Sequence, residues 1–206
     1  MLEMMERVNI TKDVHRFANL RHVAVFGEKK GLTIDEIKDL IPFARDDVAT
    51  ALINGPFQRK PCLGNKFGRC SRFSDGEWPV FYAAIGWRTA EKECTYQYGR
   101  KAAGTGRRPV HYSIVRCKFS GEIVDLLPKL DNWPGLINDD YTFCNGLGKE
   151  AHDVGVGGFF APSARNPGGT TVPAFIQGTI FDPVIEATAK LSFDGGKAVV
   201  EIKQLP

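Results

Sequence analysis

Long apolar runs are missing from this chain of 206 residues. No stretch approaches the roughly 18 consecutive apolar residues of a membrane span, so no membrane segment is expected. The opening ten residues carry Glu3 and Glu6 and no apolar centre, which does not fit a secretory leader. Paired cysteines are also missing. The five cysteines, Cys62, Cys70, Cys94, Cys117 and Cys144, are odd in number and contain no C-x-x-C pair. That excludes a disulfide framework or a cysteine zinc site, and reduced thiols in a cytoplasmic protein are expected. The four histidines, His15, His22, His111 and His152, show no metal-like spacing. Charge of one sign is scarce: a formal surplus of +3 is too small to argue for nucleic acid, though it suits a pocket for an anionic metabolite. The common nucleotide and hydrolase motifs are absent too. The stretch 99–106 lacks the Gly-Lys-Ser/Thr of a phosphate loop. Gly155-Val156-Gly157-Gly158 lacks the third glycine of a dinucleotide fingerprint. No Gly-x-Ser-x-Gly elbow occurs.

What is present is a globular composition, 43% hydrophobic and 25% charged, long enough for one domain with a core. The first third reads as helix. Thr11 is placed to cap a helix through Phe17, Leu20, Val23 and Ala24, ending at Gly27 or Gly31. Thr33-Ile34-Asp35-Glu36 forms a capping box before Ile37 and Leu40, stopped by Pro42. Val48, Ala51 and Leu52 suggest a further short helix before Asn54-Gly55-Pro56. Residues 1–55 are thus expected as an N-terminal helical segment and 56–206 as the main domain. Strands are expected at 79–85, 110–119, 122–127, 157–161, 172–177, 185–193 and 198–203, with a hairpin turn at Asp194-Gly195-Gly196. Helices are expected at 88–98, ending at Gly99, and around 145–151. Strands and helices do not alternate regularly, which predicts an α+β fold with a mainly antiparallel sheet.

Candidate chemistry gathers in two stretches, SRFSDGEWPVFYAAIGWRTAEKE and GVGGFFAPSARNPGG. Arg72 stands in a loop before the strand that carries Tyr82, with Arg69 as its near competitor. On the helix 88–98 the apolar stripe runs through Ala90, Cys94 and Tyr98. Glu93 falls on one margin of it, beside Gln97, and Glu91 on the other, and periodicity does not choose between them. Ser163 sits in a Pro-Ser-Ala-Arg turn with Arg165. An arginine holds a pyrophosphate by paired hydrogen bonds, and a nearby carboxylate stabilises a cationic, sugar-like transition state. Taken singly, each residue type has an ordinary use as a surface charge, core filler or turn residue. The basic stretches 59–66 and 100–108, near aromatics, leave a non-enzymatic RNA-binding protein as an alternative, which predicts steeply salt-dependent affinity.

In their order these motifs resemble the RES domain family, toxins of bacterial toxin–antitoxin pairs. The resemblance is carried by Arg72-Phe73, Phe81-Tyr82-Ala83-Ala84, Ala90-Glu91-Lys92-Glu93, Val124-Asp125-Leu126, the run 157–165, and Pro167-Gly168-Gly169 before Phe175. Where the family often has Asn after the Gly-Gly turn, this chain has Thr170-Thr171. The resemblance implies an ADP-ribosyltransferase-like fold and an enzyme that cleaves the nicotinamide–ribose bond of NAD. NAD is then a substrate, with no separate cofactor and no metal. It implies that Glu93 stabilises the ribosyl cation, Arg72 holds the pyrophosphate, Tyr82 stacks on or hydrogen-bonds the nicotinamide-ribose end and Ser163 orients Glu93 or the substrate. Arg165 is a further phosphate candidate. The acceptor is left open among water, phosphate and a protein side chain, that is, NAD glycohydrolase, NAD phosphorylase or ADP-ribosyltransferase. The implied partner is a cognate antitoxin, or an immunity protein if the chain is an effector delivered into a target cytoplasm. A homo-oligomer within that complex is a further expectation, and direct nucleic-acid contact is not expected.

Overall fold

The computed structural model describes residues 2–19, 36, 45–58, 71–103 and 108–204. The first long element is β1, Arg7–Asn19, a strand of thirteen residues paired antiparallel with β3, Val110–Asp125. This corrects the helix expected from Thr11. Val14 and Ala18 enter one core cluster, whereas Phe17 enters another on the opposite face. From Val14 to Ala18 the strand is buried on both faces, which removes the apolar–polar alternation there, and the remaining spacing imitates a helix. The rest of that expected helix (Leu20, Val23, Ala24) lies outside the described residues, as does the capping box apart from Glu36.

Helix α1, Arg45–Asn54, follows, with Asp46 and Asp47 in its first turn complementing the helix dipole. Val48, Ala49, Leu52 and Ile53 are buried against the sheet, so Ala49 takes the inward place expected of Ala51. Strand β2, Phe81–Ala84, leads through Gly86 at positive φ into α2, Trp87–Ala102. α2 runs past Gly99, which does not stop it. The two strands expected at 110–119 and 122–127 are the single strand β3. Gly121 lies inside it, where a Cβ would press to 2.9 Å from the Thr179 methyl, so this glycine serves a close approach and not a turn. Helix α3 is Thr142–Asp153. Then come β4, Gly158–Pro162, β5, Thr170–Ala174, and the hairpin of β6, Ile180–Asp194, with β7, Lys197–Gln204. The Asp194↔Lys197 pairing closes that hairpin on Gly195 and Gly196, both at positive φ.

The seven strands form one sheet. β3 gives one edge to β1 and divides the other: β6 runs antiparallel along Val110 to Phe119, and β4 runs parallel at Ile123 to Asp125. β4 pairs with β5, β5 with β2, and β2 returns to β1 through His15↔Ala84. The circuit β3–β1–β2–β5–β4 therefore closes on itself, and β6 and β7 leave it as a wing. α2 packs its stripe of Ala90, Tyr98 and Ala102 on Ala187, Ala189 and Leu191 of that wing. α3 and the turn 71–80 bury Phe73, Trp78, Leu147 and Phe159 in a separate cluster. The architecture is α+β, with β3–β4 as the parallel pair. Among the described residues no helix is long and apolar enough to cross a membrane.

Candidate active site

α2 fixes Glu93 by presenting two faces. Ala90 and Tyr98 face the wing, and Thr89 and Glu93 face the loop between β4 and β5. Glu93 is 8% exposed, and Ser163 Oγ donates to its Oε1 at 2.7 Å. Glu91 is only half-buried, so burial and the serine partner separate the two carboxylates that periodicity left equal. Ser163 follows β4 and is itself held. Its Oγ accepts the backbone N–H of Arg165 at 3.2 Å and of Asn166 at 3.0 Å, and its own N–H donates to Gly169 O at 2.8 Å. Asn166 Nδ2 donates to Thr89 Oγ1 at 2.8 Å, and Lys92 Nζ donates to Asn166 Oδ1 at 2.9 Å. The loop is thus tied back to the helix that carries the carboxylate.

Arg72 is 3% exposed. It sits in the tight turn Ser71–Ser74, where Ser71 N–H donates to Ser74 O at 2.8 Å. The next residue locks the turn in place. Trp78 Nε1 donates to Phe73 O at 2.9 Å, and α3 approaches so closely that a Cβ on Gly148 would lie 2.0 Å from that oxygen. Arg72 Nη1 donates to the Asn138 carbonyl, and its guanidinium lies 4.7 Å from the Tyr141 ring centroid. Its Nη2 is buried without a hydrogen-bond partner among the described residues. Arg69 lies outside them.

Tyr82 lies on β2 opposite Pro173 of β5, with its ring stacked on Phe73 at 6.5 Å. Arg16 Nη1 holds its carbonyl at 2.8 Å. Burial, and next the negative charge of Glu93, push its phenol well above the usual tyrosine range. The Thr171 hydrogen bond and the Arg72 charge oppose that shift. Tyr82 is therefore a neutral hydroxyl within the fields of both Glu93 and Arg72. The Thr171 hydroxyl donates to the Ala161 carbonyl at 3.1 Å.

Arg165 joins the same region with its charge already engaged. Its Nη2 bonds Asp139, its guanidinium lies 3.4 Å from the Tyr96 centroid, and its Nε is buried and unpartnered among the described residues. The Arg165 hydrogen bond holds the Asp139 carboxyl below its ordinary range. Sequence reasoning missed Tyr96, Asp139 and Tyr141. Tyr96 lies one turn past Glu93 on the same side of α2, which is a legible signal. Asp139 and Tyr141 carry none, because residues 138–141 read as the approach to a helix.

The structure therefore brings Arg72, Tyr82, Glu93, Ser163 and Arg165 to one place. It groups no three metal-ligating side chains among the described residues. Cys94, Cys117 and Cys144 are free thiols; Cys62 and Cys70 fall outside the described residues. The arrangement provides a buried carboxylate with one oxygen fixed by a serine, and two arginines with donors to spare. That is a site for an anionic ligand with a centre that becomes positive.

The sheet and its helices define an α+β fold. The RES domain model matches residues 44–193, and the chain belongs to that family. Among solved structures it is similar to one described as the M. tuberculosis MbcT–MbcA toxin–antitoxin complex. The identity is 13% and the TM-score 0.50, covering 90% of this chain and 87% of that one. No curated protein sequence matches the chain.

Proposed function

We propose that this protein is a toxin that consumes NAD by cleaving its nicotinamide–ribose bond. The observation that carries the reading is the buried Ser163–Glu93 hydrogen bond beside the unpartnered Nη2 of Arg72. In the reaction the C–N glycosidic bond breaks and nicotinamide leaves as a neutral molecule with the bonding electrons. The ribose carbon passes through an oxocarbenium-like state, as in glycoside hydrolysis. A neutral leaving group needs no strong acid, and the site offers none. The chain must supply orientation and negative charge, and Glu93 supplies the charge. Ser163 occupies one carboxylate oxygen, which leaves the other for ribose hydroxyls. Arg72, stacked on Tyr141, gives a planar donor set to the pyrophosphate. The neutral Tyr82 hydroxyl meets the nicotinamide-ribose end. An acceptor O–H then attacks the ribose carbon and loses its proton. Water and inorganic phosphate both fit this scheme.

Membership of the RES family, and a fold shared with a toxin solved together with its antitoxin, support a restraining partner. That partner is a protein that covers the pocket with an interface of at least about 1,200 Å². The test is NAD loss and nicotinamide release by purified protein beside Glu93→Gln, with phosphate present and absent. Release by wild type alone supports the reading, and a phosphate requirement names the acceptor. Equal release by Glu93→Gln would overturn it.

A further inference from the structure

Residues 138–141 meet no reacting atom in that scheme, yet they touch both arginines of the site. The Asn138 carbonyl accepts from Arg72 Nη1. Asp139 accepts from Arg165 Nη2, and from the Tyr96 hydroxyl at 3.2 Å. Tyr141 lies against the Arg72 guanidinium and accepts from Gln97 Nε2 at 2.8 Å. The geometry of the pair Asp139–Arg165 is lopsided. The aspartate side chain is 61% exposed and the arginine 16%. The carboxylate thus reaches the guanidinium from the solvent side, the side from which a ligand must come. Meanwhile Arg165 Nε and Arg72 Nη2 stay buried and unpartnered among the described residues.

We propose that Asp139 is an internal counter-ion that competes with a ligand's pyrophosphate for Arg165, and so sets the affinity of the site for anionic nucleotides. The inference rests on the NAD-consuming reading above. Two magnitudes favour displacement. Exposed ion pairs are worth about 1 kcal/mol or less, and the Asp139 carboxylate, 61% exposed, is already largely in water, so releasing it costs little. A buried donor without a partner is costly, and paired Arg–phosphate hydrogen bonds satisfy it. Stacking on Tyr96 keeps the guanidinium in place while its partner changes, so little side-chain order is lost in the exchange. Asp139 is an affinity-determining residue and not a catalytic one, since it touches the arginine and no reacting atom.

The experiment is calorimetric titration of ADP, which has the pyrophosphate but no nicotinamide bond, into wild type, Asp139→Ala, Asp139→Ala/Arg165→Ala and Asp140→Asn. Asp140 bonds Thr142 and, among the described residues, no arginine, so its substitution removes the same charge one residue along. Asp139→Ala is expected to bind ADP roughly three- to tenfold tighter, the scale of one exposed ion pair. The double variant is expected to lose that gain, and Asp140→Asn to stay within about twofold of wild type. Adenosine, without phosphates, should not distinguish the proteins. Equal or weaker ADP binding by Asp139→Ala overturns the proposal, as does a gain that survives loss of Arg165, or no ADP binding by any of the proteins. NAD consumption measured on the same samples separates the two ideas. NAD loss with unchanged ADP affinity defeats the counter-ion alone. Tighter ADP binding without NAD loss supports the counter-ion and defeats the NAD reading.

Discussion

Ser163 and Glu93, seventy residues apart in the chain, share a buried hydrogen bond of 2.7 Å. The serine oxygen that donates it also accepts two backbone N–H groups. One atom thus fixes both the carboxylate and the turn that carries Arg165.

Glu93→Gln keeps an acceptor for Ser163 and removes the charge. NAD turnover should fall on the order of 10²-fold or more, the scale of one electrostatic catalytic group. The melting temperature should stay within a few degrees of wild type. Nicotinamide release and a thermal melt on the same sample check both parts.

Ser163→Ala leaves the N–H groups of Arg165 and Asn166 without their shared acceptor and frees one oxygen of Glu93. These groups are part-buried, so losing the acceptor should cost about 1 kcal/mol, visible in denaturant unfolding. Turnover should fall roughly tenfold, less than for Glu93→Gln, because the charge remains. A larger loss than that of Glu93→Gln would show that the serine acts on the substrate directly.

Gly148→Ala tests whether α3 positions Arg72. The new Cβ would lie 2.0 Å from Phe73 O, so the helix must move away from the turn. Overpacking costs about 1–3 kcal/mol. Nucleotide affinity should fall with stability, whereas Gly146→Ala on the same helix, with open space at its Cβ, should leave affinity unchanged and raise stability by up to about 1 kcal/mol.

Alkaline pH should destabilise the fold. Burial raises the thiols of Cys94 and Cys117 to about 12 and of Cys144 to about 11, from an ordinary value of 9.0. Burial also raises the Tyr82 phenol. These groups are neutral when protonated, and above about pH 9 the unfolded chain loses its protons first. The unfolded state then binds fewer protons than the native one, so stability falls as pH rises, in a window from about 9 to 12. Melts between pH 7 and 11 should show a flat region followed by a decline, and Cys117→Ala should make that decline shallower.

The sequence stated the α+β class, the family resemblance and the positions of α2, β4 and the last hairpin. Each of these is written in local signals: an apolar stripe, a Gly-rich approach, an Asp-Gly-Gly turn. β1 was hidden because Val14 and Phe17 serve opposite cores, which erases alternation. β3 was cut in two because Gly121 reads as a break when it only makes room for Thr179. Glu93 could not be told from Glu91, since the choice depends on Ser163, which lies far along the chain. Asp139 and Tyr141 stayed invisible for the same reason. Their meaning is set by the arginines they meet, and no spacing within their own segment encodes it.

The closing role of β1 bears on how this chain is handled as a fragment. A piece cut to the matched region 44–193 would lose β1 and β7 together. β3 would then present a bare edge of thirteen residues, Tyr112 to Val124, and β6 a second one. Open edges of that length recruit other strands. Such a fragment is expected to associate and precipitate. The partner of β3 is also the most distant in sequence, with Arg7 bonded to Glu122 across 115 positions. Pairing of that range forms slowly, so during synthesis the sheet cannot close until most of the chain has been made.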